Sequence, residues 1–180
     1  MKKVICTIFV IVGLTGFLLF SQEQKTEKSW KTIGPELKDV GDFWCAYMYF
    51  KGPYSTIGEK FNVFREEFKK QGLKAIGAPI VLYWNPPKVS PEDRLVWAVC
   101  VRVAEDANVQ PPLLKTKFKK KKAAVCVHVG DINEIVKSND ILDKFIDDNW
   151  YISDWPVYEV FYKDRVEIVH PVKKIKDWDK

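Results

Sequence analysis

A chain of 180 residues that is 47% hydrophobic, 29% charged and 14% aromatic is long enough for one domain with a sizeable core, and too apolar for a disordered or collagen-like chain. Its formal charge of +5 is modest and owes much to one lysine run, so charge alone does not argue for a nucleic-acid binder. Seven tryptophans are many for this length, and aromatic side chains serve both as core fillers and as pocket walls.

Met1-Lys2-Lys3 followed by the apolar run 4–20 reads as a segment that meets a lipid bilayer. The cleavage pattern around Leu19 and Ser21 is poor, so residues 1–21 are expected to form a retained anchor, with a cleaved signal and secretion as the alternative. Lys2 and Lys3 favour a cytoplasmic N-terminus and a domain facing the cell exterior or periplasm, although Lys25, Lys28 and Lys31 weaken that asymmetry. Residues 22–42 are polar, carry both charge signs and contain Gly34-Pro35, the composition of a stalk.

The globular part is expected to span residues 43–173. Phe43 to Lys51 alternates loosely and stops at Gly52-Pro53, as a strand closed by a turn does. Thr56 and Glu59 have capping-box spacing, and Ile57, Phe61, Phe64 and Phe68 continue as a helical stripe until Gly72. Ile80 to Trp84 reads as a buried strand, Asn85-Pro86-Pro87 as a turn, and Leu95 to Val103 as a strand apolar on both faces. The same order then returns. Ala123 to Val129 is a strand, Ile132 to Asn149 a helical segment, and Pro156 to Tyr162 with Val166 to Val169 a hairpin.

Two halves, 43–103 and 123–170, therefore look like one βαββ unit used twice. The expected class is α+β: a curved antiparallel sheet with two helices on one face and a hollow near the two-fold axis. The connection 104–122, with Pro111-Pro112 and Lys115, Lys117 and Lys119 to Lys122, reads as a solvated loop; lipid headgroups and nucleic acid are the alternatives, and Phe118 alone does not make a stacking platform. Aligning Pro79 with Pro156 sets Leu82 opposite Glu159, one apolar and one acidic residue at equivalent places.

Glu159 stands among Trp155, Tyr158, Phe161 and Tyr162. A carboxylate buried without a partner costs several kcal/mol or takes up a proton, so Glu159 faces either a cation or a lined cavity, unless the strand is an edge and the side chain points into water. Cys45, Cys100 and Cys126 lack metal-ligand spacing and read as small buried hydrophobes with free thiols; a disulfide between two of them would need an oxidising compartment, and the sequence does not choose the pair. His128 and His170 are lone strand-end residues, and no cofactor or metal motif is present.

The runs Lys51 to Glu59, Pro79 to Pro87 with its Tyr83-Trp84-Asn85-Pro86 core, and Tyr158 to Tyr162 resemble the GyrI-like small-molecule-binding domain, the effector-binding domain of AraC- and BmrR-type regulators, over roughly residues 40–173. With Glu92 to Leu95 and Trp97, the chain looks closest to the membrane-tethered branch that includes an animal ER-phagy receptor. The first 40 residues read as an anchor and a stalk and not as a DNA-binding module, a departure from the regulator pattern, so a transcription factor is not expected. The resemblance implies a pocket for flat or cationic organic molecules with Glu159 at the family's glutamate position.

From the residues and that resemblance, the expected ligand-binding set is Glu159, Phe161, Trp155, Tyr47, Tyr49, Leu82, Trp84 and Trp97. Three readings follow: a membrane-tethered binder of a small hydrophobic or cationic molecule; a hydrolase of strained or electrophilic toxins, as some stand-alone relatives are, with Glu159 as the acid or base and Tyr47 orienting water; and a protein-interaction domain with a vestigial hollow. Oligomeric state and ligand identity are not legible in the sequence.

Overall fold

The computed structural model describes residues 29–175. The expected anchor, residues 1–21, lies outside them. Nine strands and two helices follow in the order β1 (Trp30–Val40), β2 (Phe43–Lys51), α1 (Ile57–Lys70), β3 (Ile76–Tyr83), β4 (Val96–Val103), β5 (Leu114–Phe118), β6 (Lys121–Gly130), α2 (Ile135–Asp148), β7 (Tyr151–Ser153), β8 (Val157–Phe161) and β9 (Arg165–Lys174). They form one antiparallel sheet in the order β1-β6-β9-β8-β3-β4-β2-β5, with β7 paired to the end of β9.

Period-two alternation divides these strands between two faces. On one face, α1 buries Phe64 against Val81, Trp97, Val99 and Val101, while α2 buries Leu142 and Ile146 against Ala124, Cys126 and Ile168. Phe161 packs against both groups, so both helices lie on the same side, as the α+β reading expects. Each buried leucine or phenylalanine here contributes about 2 kcal/mol through removal of apolar surface from water. The opposite face gathers Cys45, Ile80, Leu82, Ala98, Cys100, Val125, Tyr158, Val160 and Val169. No described helix covers it. The sheet's two ends are tied by short links, residues 41–42 between β1 and β2 and 119–120 between β5 and β6, and Asp42 N donates to Phe118 O at 2.7 Å.

The repeat is more regular than the prolines suggest. Phe43 and Lys121, Tyr54 and Ile132, and Ile57 and Ile135, which open equivalent elements, each lie 78 residues apart in number. That spacing makes Val81, not Leu82, the equivalent of Glu159, and the register pairs the two directly across β3 and β8. Leu82 pairs with Tyr158 and faces the other side. A slip of one residue reverses the face of every side chain in a strand, which is how the proline alignment misplaces Leu82.

Three further expectations change. Residues 30–40, expected within the stalk, form β1 and pair with β6, with half-buried Trp30, Thr32, Leu37 and Val40 set among exposed Lys31, Glu36 and Asp39. The connection 104–122 contains β5, which pairs with β2 and carries Lys115 and Lys117. Thr56 does not close a capping box; its hydroxyl donates to Pro53 O at 2.7 Å, and a single 3-10 turn leads into α1. Cys45, Cys100 and Cys126 are free and buried. Among the described residues no helix is long and apolar enough to cross a membrane.

Candidate functional site

Glu159 lies at the middle of β8, beside the seam between the halves and on the helix-bearing face. Beside α2 the sheet leaves a cavity of about 390 Å³. Its floor is Glu159 and Tyr83, α2 supplies Ile135, Asn139, Asp140 and Asp143 along one wall, Ser153, Trp155 and Val157 form another, and the Asn85-Pro86-Pro87-Lys88 turn closes the mouth. The turn is fixed by Asn85, whose Oδ1 accepts from Val96 N at 2.8 Å and whose Nδ2 donates to Arg94 O at 3.1 Å. Tyr54 donates its hydroxyl to Asn85 O at 2.6 Å and sets its ring edge-on to Tyr83, centroids 4.9 Å apart.

The carboxylate itself is held by neutral donors. Tyr83 OH donates to Oε2 at 2.7 Å, and Asn139 Nδ2 makes a long contact of 3.4 Å to Oε1. Among the described residues Glu159 forms no ion pair. Burial raises its pKa, against the hydrogen bonds from Tyr83 and Asn139 and the field of His128, which lower it. The same burial, with Glu159 beside it, pushes the Tyr83 phenol well above its usual range, and burial pushes Tyr54 up to about 12. Both phenols therefore remain protonated donors. At the rim, Lys88 pairs with Asp140 at 2.8 Å and burial raises Asp143. His170 is buried at the cavity wall, and burial pushes it down to about 4, outweighing the half-exposed Asp143 carboxylate 3.5 Å away. Such a chamber suits a molecule with an apolar, partly aromatic body and a positive centre, since a carboxylate in low dielectric lacks a countercharge and rings line its approach.

The expected site residues do not all meet. Glu159 and Trp155 line this cavity. Tyr47, Tyr49, Leu82 and Trp84 line a separate cavity of about 320 Å³ on the helix-free face. Phe161 is a packing residue between the helices, and Trp97 is fully buried under α1 with its indole donating to Gly52 O at 3.1 Å. Tyr47 is thus not assembled with Glu159; Tyr83 occupies the place expected of it. Sequence reading missed Tyr83, Tyr54 and Asn139. Matching the helix starts rather than the prolines would have placed Val81 opposite Glu159 and Tyr83 on the same face two residues on. No cluster of three or more His, Cys, Asp or Glu side chains suited to a metal ion occurs among the described residues.

Two copies of a strand-helix-strand-strand unit, joined at a seam that opens into a lined chamber, define a small-molecule-binding domain. The family model of the GyrI-like small molecule binding domain matches residues 34–176, and the chain belongs to that family. The C-terminal domain of EcmrR is similar over 81% of this chain and 99% of its own, at 17% identity and a TM-score of 0.69. SAV2435, solved bound to tetraphenylphosphonium, is similar over 78% of this chain and 94% of its own, at 12% identity and a TM-score of 0.57. A hydrolase from Listeria innocua is similar over 77% and 91%, at 14% identity and a TM-score of 0.56. At such identities these likenesses show the fold. No curated protein sequence matches the chain.

Proposed function

We propose that this domain binds lipophilic organic cations in the cavity beside α2, with Glu159 as countercharge and Trp155, Tyr83 and Tyr54 as the aromatic wall. One observation carries the reading: Glu159 is a carboxylate of raised pKa, fixed by a phenol and an amide, without a cationic partner among the described residues. A buried charge left in that state is costly unless something else completes it. A ligand cation does so and gains from the aromatic faces, about 2 kcal/mol per desolvated contact. That SAV2435 was solved with tetraphenylphosphonium makes this cation a suitable probe. Calorimetric titration of the full chain tests the reading: tetraphenylphosphonium binds the wild type and binds Glu159→Gln at least about tenfold more weakly. Equal affinities would overturn it.

Hydrolysis is a second reading of the same residues, favoured by the Tyr83–Glu159 hydrogen bond, which couples a carboxyl of raised pKa to a protonated phenol able to steady a developing negative charge. Recovery of an electrophilic aryl cyclopropane unchanged after long incubation argues for binding alone; product formation that disappears in Glu159→Gln argues for hydrolysis.

We also propose that residues 4–20 tether the domain to a membrane with the domain outside the cytoplasm, supported by the apolar run and the basic pair Lys2-Lys3. Protease treatment of intact cells followed by fractionation tests this: the domain is digested while residues 1–21 stay with the membrane. A protected domain contradicts the orientation, and a domain lost entirely to the medium contradicts the tether.

A further inference from the structure

The cavity on the helix-free face differs from the Glu159 chamber in the one property that most decides a ligand's class. Its lining contains Lys117, Lys119 and Lys121 and no aspartate or glutamate, whereas the Glu159 chamber carries Glu159, Asp140 and Asp143 against Lys88. Its floor is Leu82 and Tyr158, both buried. Its walls are aromatic: Tyr49 leans on Trp84 at 4.9 Å and meets Tyr47 edge-on at 5.1 Å, and Phe118 meets Tyr158 edge-on at 6.1 Å.

The polar groups on those walls are donors. Burial raises the phenols of Tyr47 and Tyr158 above their ordinary range, so each keeps its proton; Tyr47 is also hydrogen-bonded to the Tyr49 hydroxyl beside it, while Tyr158 makes no side-chain hydrogen bond among the described residues. Arg102 stacks over Phe43 at 4.2 Å on the same face and adds positive field behind Tyr158, opposed there by Glu167, which is itself ion-paired with Lys38. Lys117 and Lys121 are paired with Asp42 at 3.1 Å and Asp154 at 2.7 Å, while Lys119 makes no ion pair among the described residues. The lysine run thus acquires a place: the β5–β6 turn carries it to the mouth of an aromatic hollow. The turn lies in close contact with the β1–β2 turn, which Gly41 permits: at φ +99° it sits where a Cβ would lie 2.3 Å from Lys119 O.

We infer that this second cavity is a binding site for a flat organic anion, an aryl carboxylate or aryl sulfonate, whose rings lie among Tyr47, Tyr49 and Trp84 and whose acid group meets the phenolic hydroxyls and the lysine rim. Ring stacking supplies the apolar contact, and the lysines and neutral donors supply charge complementarity. The two faces of the sheet then select opposite charges, independently of whether the Glu159 chamber binds a cation.

Photolabelling of the full chain with 4-benzoylbenzoate, mapped to residues by peptide sequencing in a mass spectrometer, tests the assignment. The expected adducts fall on Tyr47, Tyr49, Trp84 or Tyr158; they are suppressed by 1-naphthalenesulfonate, untouched by tetraphenylphosphonium and retained in Glu159→Gln. Reversing two rim charges, Lys119→Glu with Lys121→Glu, lowers labelling at half-saturating probe and weakens the sulfonate's competition roughly tenfold, with the melting temperature confirming that the variant is folded. Adducts on Tyr54 or Asn139, suppression by tetraphenylphosphonium, equal labelling by uncharged benzophenone, or indifference to the two charge reversals would each overturn the inference.

Discussion

Val81 and Glu159 are cross-strand partners at the seam of β3 and β8, and they hold equivalent places in the two halves of the chain. The pseudo-two-fold therefore passes between an aliphatic side chain and a carboxylate. A second acid at this seam would face the first at the spacing of paired strands, about 5 Å, where two buried carboxylates cannot both ionise. Asymmetry at the axis is what lets an otherwise repeated fold hold a single charge.

Val81→Glu is expected to destabilise the domain at pH 7 by on the order of 3 kcal/mol, with most of the loss recovered in mildly acidic buffer as one carboxyl takes up a proton. Urea denaturation at two pH values checks this. A loss of equal size at both would point to packing rather than charge.

Glu159→Gln is expected to be more stable than the wild type at neutral pH. The carboxyl's pKa is raised in the folded state, so the stability it contributes is fully present below the ordinary glutamate pKa and is lost as pH rises through the folded value. The neutral amide escapes that loss. Melting temperatures of the two proteins should converge in acid and separate toward neutrality, with the variant higher.

Tyr83→Phe removes the shorter of the two hydrogen bonds that hold the carboxylate. Loss of a bond to a charged group costs roughly 2 kcal/mol, and it moves the Glu159 pKa further up because the charged form loses a donor. Carbon-13 NMR of the labelled Glu159 carboxyl should show titration at higher pH in the variant. An unchanged titration would mean that Tyr83 does not support the charge.

His170 is buried and held to about 4, well below the ordinary imidazole value. A group whose folded pKa is depressed contributes stability present above the unfolded pKa and lost as pH falls through the folded one. The domain should therefore lose on the order of 3 kcal/mol between about pH 6.5 and pH 4 that His170→Gln does not lose. Matching pH profiles for the two proteins would contradict this.

Trp97→Phe should destabilise by about 2 to 3 kcal/mol, since the indole fills the space under α1 and satisfies Gly52 O. Binding at either cavity should be unchanged in the folded fraction, which chemical denaturation and titration together measure.

Much of this architecture was legible in the residues. β2 runs from Phe43 to Lys51 as its alternation and Gly52-Pro53 imply, and the helices follow the stripes of Phe61, Phe64 and Phe68 and of Leu142, Phe145 and Ile146. β1 was obscured because its outward side chains, Lys31, Glu36 and Lys38 among them, are those of a polar linker, and an edge strand shows only a thin apolar side. The site was half legible: Glu159 among aromatics signalled a chamber, but pairing Leu82 with it merged two hollows that lie on opposite faces. Periodicity gives the two sides of a strand, while the register that joins strands from distant parts of the chain comes from packing.

The central claim is that Glu159, in its charged form, holds a cation in the cavity beside α2. Titration of tetraphenylphosphonium into the full chain across a range of pH tests it most directly. The account predicts that wild-type affinity rises with pH as Glu159 ionises and then levels off, with protons released on binding, and that Glu159→Gln is weak and flat throughout. A wild-type affinity independent of pH and matched by Glu159→Gln would contradict it.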